Sequence, residues 1–309
     1  MRSASKELQN EFSWSKSRHE KFEDCPRAYY YQYYGSWGGW SAPAGAPARE
    51  IYVLKKLSTR WQWAGSAVHE ALRHMLSRAR VTGDRKGLEP LLEQTRRRTR
   101  SVWAASREKS YWREASRIEG LLEHEYAEPV APEEWKRLWD EVIEGSIRAF
   151  YASEVFDRIR AVPAERWLTV DELDSWVFEG TKIWVAVDFA YQDEHGRIHV
   201  LDWKTGKERG VDHDQVGVYA MYAREKWGVP PDRVAAGLVY LGHGAERVDV
   251  AVDPAAVEQV RAKMRASIAA MKERLDDPLR NRASIERFPR IEDRDACRRC
   301  PFRRPCGRM

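Results

Sequence analysis

The sequence predicts an α/β fold, a mixed β-sheet flanked by helices, with a large helical insertion before the strands. Helical apolar spacing fills the first half, and strand-like runs begin near Pro163. Of the 309 residues, 43% are hydrophobic, so the chain can bury a core. We expect one domain: an N-terminal cysteine helix and loop (1–60), a helical region (61–162), an α/β core (163–275) and a cysteine-rich basic tail (276–309).

The N-terminal half is expected to be mainly helical. A helix over about residues 15–34 begins at a serine that can cap it, and its apolar face is aromatic. The glycine- and proline-rich segment 35–48 predicts a loop. Residues 61–153 are mostly helical in pattern, and the segment after Gly65 has apolar residues at helical spacing: Val68, Leu72, Met75, Leu76 and Ala79.

The C-terminal half alternates strands and helices. The sequence predicts strands over residues 165–170, 175–179, 181–191, 197–204, 233–241 and 246–252, and helices over 213–227 and 254–275. The segment 193–196 is a turn signal that predicts a hairpin between the third and fourth strands.

This hairpin carries residues suited to catalysis. Strand periodicity puts Asp188 on one face of its strand, and Asp202 with Lys204 on one face of the next. A turn near His195 sets Asp188 opposite Asp202 or a neighbour, with side chains about 5 Å apart. Two facing carboxylates repel each other, and a divalent metal or the Lys204 ammonium would stabilise them. An ordinary surface Asp–Lys pair is the plainer alternative.

Charge and hydropathy narrow the function classes. The net charge is +5, and ten arginines against four acidic residues lie between Arg280 and Arg308. These arginines, and the cluster 96–100, suit either a polyanion or a solvated surface. No apolar stretch is long enough for a membrane span, and no secretion signal is recognisable, so we expect a cytoplasmic protein. A nucleotide-binding P-loop is absent, so we expect any unwinding to come from a partner.

The four cysteines suggest a soft metal centre. Cys297, Cys300 and Cys306 form a C-x2-C-x5-C pattern, and Cys25 stands alone near the start. Thiolates at this spacing suit zinc or an iron–sulfur cluster, and spacing alone does not separate them. Two disulfides are the further alternative, which a reducing compartment disfavours.

Taken in order, these motifs resemble the PD-(D/E)xK nuclease superfamily, in its RecB-like branch with an iron–sulfur cluster. That branch includes Cas4 proteins, the AddB nuclease domain and exonuclease V-type enzymes. The matching segments are the cysteine motif at 17–26, G-x-x-x-H-E at 65–70, Asp188, D-x-K-T-G at 202–206, Q-x-x-x-Y at 215–219 and the cysteine tail. Val185 and Val187 depart from the family's usual glycine and proline.

The resemblance implies a restriction-endonuclease-like fold with an iron–sulfur-bound C-terminal tail. It also implies roles for individual residues. Asp188, Asp202 and Lys204 would be catalytic. Mg²⁺ or Mn²⁺ would be bound by His69, Asp188, Asp202 and the carbonyl of Trp203. Gln215 and Tyr219 would contact DNA. A 4Fe–4S cluster would be held by Cys25, Cys297, Cys300 and Cys306.

Several of these residues also have plainer interpretations. His69 could be a hydrogen-bonded core histidine, and Tyr219 a core residue. Gln215 could form a capping box with Asp212. Most of the fourteen tryptophans are expected to be core or interface residues, while Trp37 and Trp40 are the best candidates for stacking on a single strand.

The function expected on these grounds is metal-dependent hydrolysis of DNA, by an exonuclease acting on single-stranded or end-bearing DNA in repair or recombination. One alternative is a Cas4-like nuclease in CRISPR spacer acquisition. The other is a non-catalytic iron–sulfur DNA-binding subunit of a helicase–nuclease complex. The expected partners are DNA and a helicase or another repair or adaptation protein.

Overall fold

The computed structural model describes residues 9–41, 45–83, 87–114, 117–206, 212–250 and 252–309. Helices dominate the first half, as predicted. Its elements are β1 (Ser13–Trp14), α1 (Lys16–Asp24), α2 (Pro26–Tyr30), α3 (Ala46–Leu54), β2 (Leu57–Ser58), α4 (Arg60–Thr82), α5 (Leu88–Arg107), β3 (Gly120–Leu121), α6 (Leu122–Glu125), α7 (Pro132–Arg137), α8 (Gly145–Tyr151) and α9 (Glu154–Ala161). Helix α3 begins inside the segment predicted as a loop.

The second half alternates strands and helices in the predicted order. Its elements are β4 (Trp167–Phe178), β5 (Thr181–Gln192), β6 (Ile198–Lys204), α10 (Asp212–Trp227), β7 (Val234–Tyr240), β8 (Glu246–Val250), α11 (Pro254–Glu273), α12 (Arg294–Arg298) and α13 (Arg303–Cys306). The prediction of two short strands over 165–170 and 175–179 is wrong, because one strand, β4, covers both. Asp171 has φ +46° within it, so an irregular residue is accommodated without ending the strand.

The chain divides into two compact units, each built from separate stretches of sequence. The cysteine unit comprises Met1–Lys55, Val177–Trp184 and Met264–Met309, and it contains all four cysteines. The sheet unit comprises Lys56–Trp176 and Val185–Lys263, and it contains the predicted catalytic residues. The predicted single domain and its four regions stay a prediction.

In the cysteine unit, an aromatic core holds the N-terminal helices against the C-terminal segment. Tyr29 is fully buried, with its ring 5.3 Å from that of Phe22 and 6.1 Å from that of Phe288. Strand β1 lies parallel to the start of β5, and the indole of Trp14 donates a hydrogen bond to Ser267 Oγ at 3.0 Å. Residues far apart in sequence therefore form one core.

The predicted helix over residues 15–34 is interrupted at Cys25. Ser15 caps α1 as predicted, since its side chain accepts a hydrogen bond from the Arg18 backbone N–H. Cys25 is extended, with φ −166° and ψ 109°, and Pro26 begins α2. A proline disfavours helical geometry at the residue before it, so the prediction of one continuous helix is wrong for a reason readable in the sequence.

The sheet unit is built on a mixed sheet. Strand β4 pairs with β5, β5 with β6 antiparallel, β6 with β7 parallel, and β7 with β8 antiparallel. The parallel pair requires a crossover connection, which α10 supplies. Phe189, Leu201 and Trp203 join the large core that contains α4, while Leu238 joins a separate core with Val216 of α10. The mixed α/β prediction is confirmed.

No helix in the described part of the chain is both long enough and apolar enough to cross a bilayer.

Candidate active site

The hairpin of β5 and β6 has the register predicted from its turn. Phe189 lies opposite Leu201, and every bonded pair has residue numbers that sum to 390. The next position along the same register sets Asp188 opposite Asp202. Gly196 has φ +77°, which the tight turn between the strands requires. The prediction of this register is confirmed.

Asp188 is buried, with 7% of the residue exposed, and both of its carboxylate oxygens have donors. Oδ2 accepts a hydrogen bond from the backbone N–H of Trp203 at 2.7 Å. Oδ1 lies 3.0 Å from Nδ1 of His69 on α4. The helix and the hairpin thus meet at this carboxylate. Helix α4 is fixed at its start by a capping box between Thr59 and Gln62.

The pKa of His69 is raised by its acidic neighbours. Burial alone would lower it, but Asp188, and then Asp202 and Asp171, raise the pKa to about 9. The imidazole is therefore protonated near neutral pH in this arrangement, and Nδ1 donates to Asp188. His69 thus forms an ion pair with the first acidic residue of the site, and its role as a metal ligand stays a prediction.

Asp202 is the more enclosed of the two aspartates, at 4% exposure. Its Oδ1 accepts hydrogen bonds from the Tyr219 hydroxyl at 2.6 Å and from the Gln215 amide at 2.9 Å. Burial, and then the Asp188 carboxylate, raise the pKa of Asp202, which Lys204 partly offsets. Burial is thus the main influence on the Asp202 carboxylate, and Asp188 adds to it.

Lys204 lies beside Asp202 and is oriented by α10. Its Nζ is 2.6 Å from Asp202 Oδ2 and donates a hydrogen bond to Gln215 Oε1 at 2.9 Å. The Gln215 amide thus contacts the acid and the lysine together. Gln215 and Tyr219 are four residues apart on one helix face, and Tyr219 is 1% exposed. Their predicted contact with DNA stays a prediction, as does the Asp212 capping role, because the side chain of Asp212 lies outside the described residues.

Trp203 contacts the site through its backbone and the hydrophobic core through its ring. Its N–H binds Asp188, and its indole packs on the other face of the sheet, 5.1 Å from the ring of Phe150. Its carbonyl as a metal ligand stays a prediction.

A cavity of about 1050 Å³ opens beside His69. One wall is a stripe of α4 residues at four-residue spacing: Trp61, Gly65, His69 and Arg73. Thr205 and Gly206, from the D-x-K-T-G motif, line it as well. A Cβ on Gly65 would lie 3.0 Å from Thr205 Oγ1, so the glycine allows the two motifs to approach closely.

Asp171 is a site residue that the sequence analysis missed. It lines the cavity, and its Oδ2 lies 3.4 Å from Nε of Arg73. Burial raises the pKa of Asp171, and Asp188 raises it further, while His69 and Arg73 act in the opposite direction. No motif marks this position. Its only distinctive feature, the left-handed backbone, is a property of the fold.

The donor set of the site is of the kind that holds a hard divalent cation. As placed, no group of three or more His, Cys, Asp and Glu side chains among the described residues is arranged to bind an ion. Asp188 is instead engaged by His69, and Asp202 by Lys204. Yet Asp202 Oδ2 is buried and makes no well-directed hydrogen bond to any described residue. Two buried carboxylates and an imidazole fit Mg²⁺ or Mn²⁺.

All four cysteines, in the cysteine unit, are free and half-buried. Burial raises the pKa of the Cys300 thiol to about 11, and nearby Cys25 and Cys306 raise it further. Cys25 and Cys297 likewise raise the pKa of Cys306, after burial. The grouping of Cys25 with the C-terminal cysteines at one metal centre stays a prediction. As placed, these thiols are not part of any group of three or more described side chains arranged to bind an ion, although thiolates are ligands of the kind that a soft metal takes.

A mixed sheet with two buried aspartates and a lysine, beneath a histidine on a packed helix, defines a nuclease-like α/β protein. A family model described as the PD-(D/E)XK nuclease superfamily matches residues 13–307, and the chain therefore belongs to this superfamily. Its membership implies a nuclease-type function on DNA with divalent metals, and the mixed sheet is consistent with a restriction-endonuclease-like fold. No curated protein matches the chain.

Proposed function

We propose that this protein is a Mg²⁺- or Mn²⁺-dependent DNA nuclease of the RecB-like branch, acting as an exonuclease on single-stranded or end-bearing DNA in repair or recombination. The observation that carries the proposal is the buried pair Asp188 and Asp202, contacted by His69 and Lys204. Membership of the superfamily supports phosphodiester hydrolysis as the reaction. A helicase is the partner we propose to present the strand.

Asp188, Asp202 and His69 would hold the cation, with the carbonyl of Trp203 as a further ligand. Such a cation polarises the scissile phosphate when it is bound. The protein itself fixes the positions of these ligands. Asp188 is fixed by the Trp203 N–H, and Asp202 by Tyr219 and Gln215, so both carboxylates are oriented before a ligand arrives.

Lys204 is proposed to stabilise negative charge that develops on the phosphate oxygens during hydrolysis. Gln215 Oε1 accepts a hydrogen bond from the Lys204 ammonium at 2.9 Å and so keeps it beside Asp202. Lys204 thus lies beside a carboxylate that would hold the cation, close to where the phosphate would bind.

The proposal is tested by incubating end-labelled DNA with the purified protein and Mn²⁺. We expect cleavage that EDTA abolishes, and a Lys204→Ala variant that cleaves at least roughly 100-fold more slowly while still binding DNA. Lys136→Ala is the matched control, because Lys136 is an exposed lysine paired with Asp140 on the protein surface. Equal cleavage by the Lys204→Ala variant would contradict the assignment. DNA binding without cleavage by the unmodified protein would favour the non-catalytic subunit.

We also propose that Cys25, Cys297, Cys300 and Cys306 hold a 4Fe–4S cluster that braces the cysteine unit. Four free, half-buried thiols in one compact unit support a shared metal centre. The cluster would link α2 to the C-terminal segment, and hydrolysis requires no redox step from it.

The cluster is tested by the metal content of anaerobically purified protein. We expect about four iron atoms per chain, a brown colour, and loss of both in a Cys25→Ala variant. Stoichiometric zinc in a colourless protein would contradict the cluster and assign a zinc site to the same cysteines.

A further inference from the structure

Trp61 is a large aromatic residue exposed at the wall of the active-site cavity. It is 44% exposed, and it lines the cavity together with His69. The two residues are eight positions apart on α4, on the same face, which separates them by about 12 Å along the helix axis. An exposed tryptophan by itself is ordinary, but this one lies on the same stripe as a site residue.

The indole is contacted by an arginine that is itself fixed. The guanidinium of Arg60 lies over the Trp61 ring, 5.3 Å from its centroid. Arg60 is in turn bound by Glu123, whose side chain is 4% exposed and which accepts hydrogen bonds from both the backbone N–H and the guanidinium of Arg60. A second carboxylate, Glu134, lies 3.3 Å from the same guanidinium. The ring is therefore positioned before any ligand binds, which lowers the entropic cost of binding.

The charged side chains that line the cavity are poorly suited to binding a phosphate backbone. Its described lining carries two arginines, and each is engaged by carboxylates. Arg98 Nε lies 2.5 Å from Glu70, and Arg73 lies 3.4 Å from Asp171. Further carboxylates on the wall are Glu119 and Glu141. Among the described residues, the charges of the cavity wall therefore attract a phosphate backbone weakly, and the indole ring of Trp61 is the stronger available contact.

We propose that Trp61 stacks on an unpaired base of the substrate, within a few nucleotides of the phosphate that is cleaved, and so selects single strands. Stacking on an aromatic side chain needs a base that has left its neighbours, which a paired duplex does not offer. Arg60 contributes by fixing the ring. The inference rests on the proposed function and specifies its substrate class.

The test measures binding in a Lys204→Ala background, so that the DNA remains intact. Single-stranded oligonucleotides carry one abasic residue at successive positions, and a blunt duplex serves for comparison. We expect one abasic position to weaken binding roughly 5- to 150-fold, which is the range expected for loss of one stacked base. Trp61→Ala should produce the same loss on the intact strand and should make the protein insensitive to that abasic position.

Two further variants complete the design. Trp61→Phe retains an aromatic face and should recover most of the affinity, whereas Val81→Ala removes an exposed apolar side chain elsewhere on α4 and should change nothing. Unchanged affinity of the Trp61→Ala variant for single strands would overturn the inference. It would also be overturned if the same abasic position still weakened binding by the Trp61→Ala variant. Cleavage by the protein carrying Lys204 is measured separately, so failure of the proposed function is distinguished from failure of the stacking.

Discussion

Nδ1 of His69 lies 3.0 Å from Oδ1 of Asp188, and this hydrogen bond joins α4 to β5 across 119 residues of sequence. It brings the G-x-x-x-H-E helix to the hairpin that carries both aspartates. Because the pKa of His69 is raised to about 9, the contact is an ion pair at neutral pH. A cation that engages Asp188 must compete with the imidazolium, so metal binding and the proton on His69 are coupled.

Asp188→Asn should lower the pKa of His69 towards its ordinary value of 6.5, because Asp188 is the largest of the influences that raise it. The measurement is an NMR titration of the histidine ring. Asp171→Asn is the control, and its effect should be smaller. A raised folded-state pKa means that the ion pair stabilises the fold fully below pH 6.5 and that this contribution is lost as the pH rises through 9. An unaltered titration in the Asp188→Asn variant would refute the ion pair.

Tyr219→Phe should lower the free energy of unfolding by about 1–3 kcal/mol, because it leaves the buried Asp202 carboxylate without one of its donors. Urea denaturation measures this loss. Tyr222→Phe is the matched control on the same helix, since its hydroxyl donates to Asp174, a carboxylate that is far more exposed. Equal losses of unfolding free energy in the two variants would show that the burial of Asp202 adds nothing to the cost of removing a donor.

Gly217→Ala should destabilise the packing of α10 against α11. A Cβ at this position would lie 2.5 Å from Cγ2 of Val260, so a side chain or a helix must shift. Overpacking of this kind costs about 1–3 kcal/mol, and the midpoint of urea unfolding should fall accordingly. Adding Val260→Ala should cost less than the two single changes together. Strict additivity would mean that the contact is not the cause.

The hairpin shows how much of the site could be predicted from sequence. Alternation on each strand and one turn signal were enough to set Asp188 opposite Asp202, because both are local properties of the chain. The contact of His69 with Asp188 depends on how α4 packs over the sheet, which local pattern does not specify. The motif order pointed to this contact only through the resemblance to a family.

Each feature that the sequence analysis missed has an identifiable physical reason. The break at Cys25 follows from Pro26, which restricts the residue before it. Asp171 was missed because an acidic residue within a polar strand segment has no distinctive pattern, and its role depends on a left-handed backbone and on the position of Arg73. The position of the Arg60 guanidinium over the Trp61 ring depends on Glu123, sixty-three residues from Arg60.

The stability of the protein should fall as the pH drops from 6.5 to 4, in part through His124. Burial, followed by Arg107 and Lys109, lowers the pKa of His124 to about 4. Its Nδ1 accepts the hydroxyl proton of Ser106, whose oxygen accepts the Leu121 N–H, so the neutral ring is favoured. The unfolded chain binds the proton first, and folding is therefore disfavoured below pH 6.5.

Thermal unfolding across this pH range measures the effect. His124→Gln should make the unfolding temperature depend less on pH. His195→Gln, at an exposed turn position, should leave that dependence unaltered. An identical slope in the His124→Gln variant would assign the acid sensitivity to other groups.

The most direct measurement of the central claim is titration calorimetry with Mn²⁺ in the absence of DNA. The unmodified protein should bind the ion, and Asp188→Asn and Asp202→Asn should each weaken binding by at least roughly 100-fold. Asp249→Asn, at an exposed position on β8, is the control and should bind normally. Affinities that are the same in all four proteins would contradict the account, because the two buried aspartates would then not share a cation.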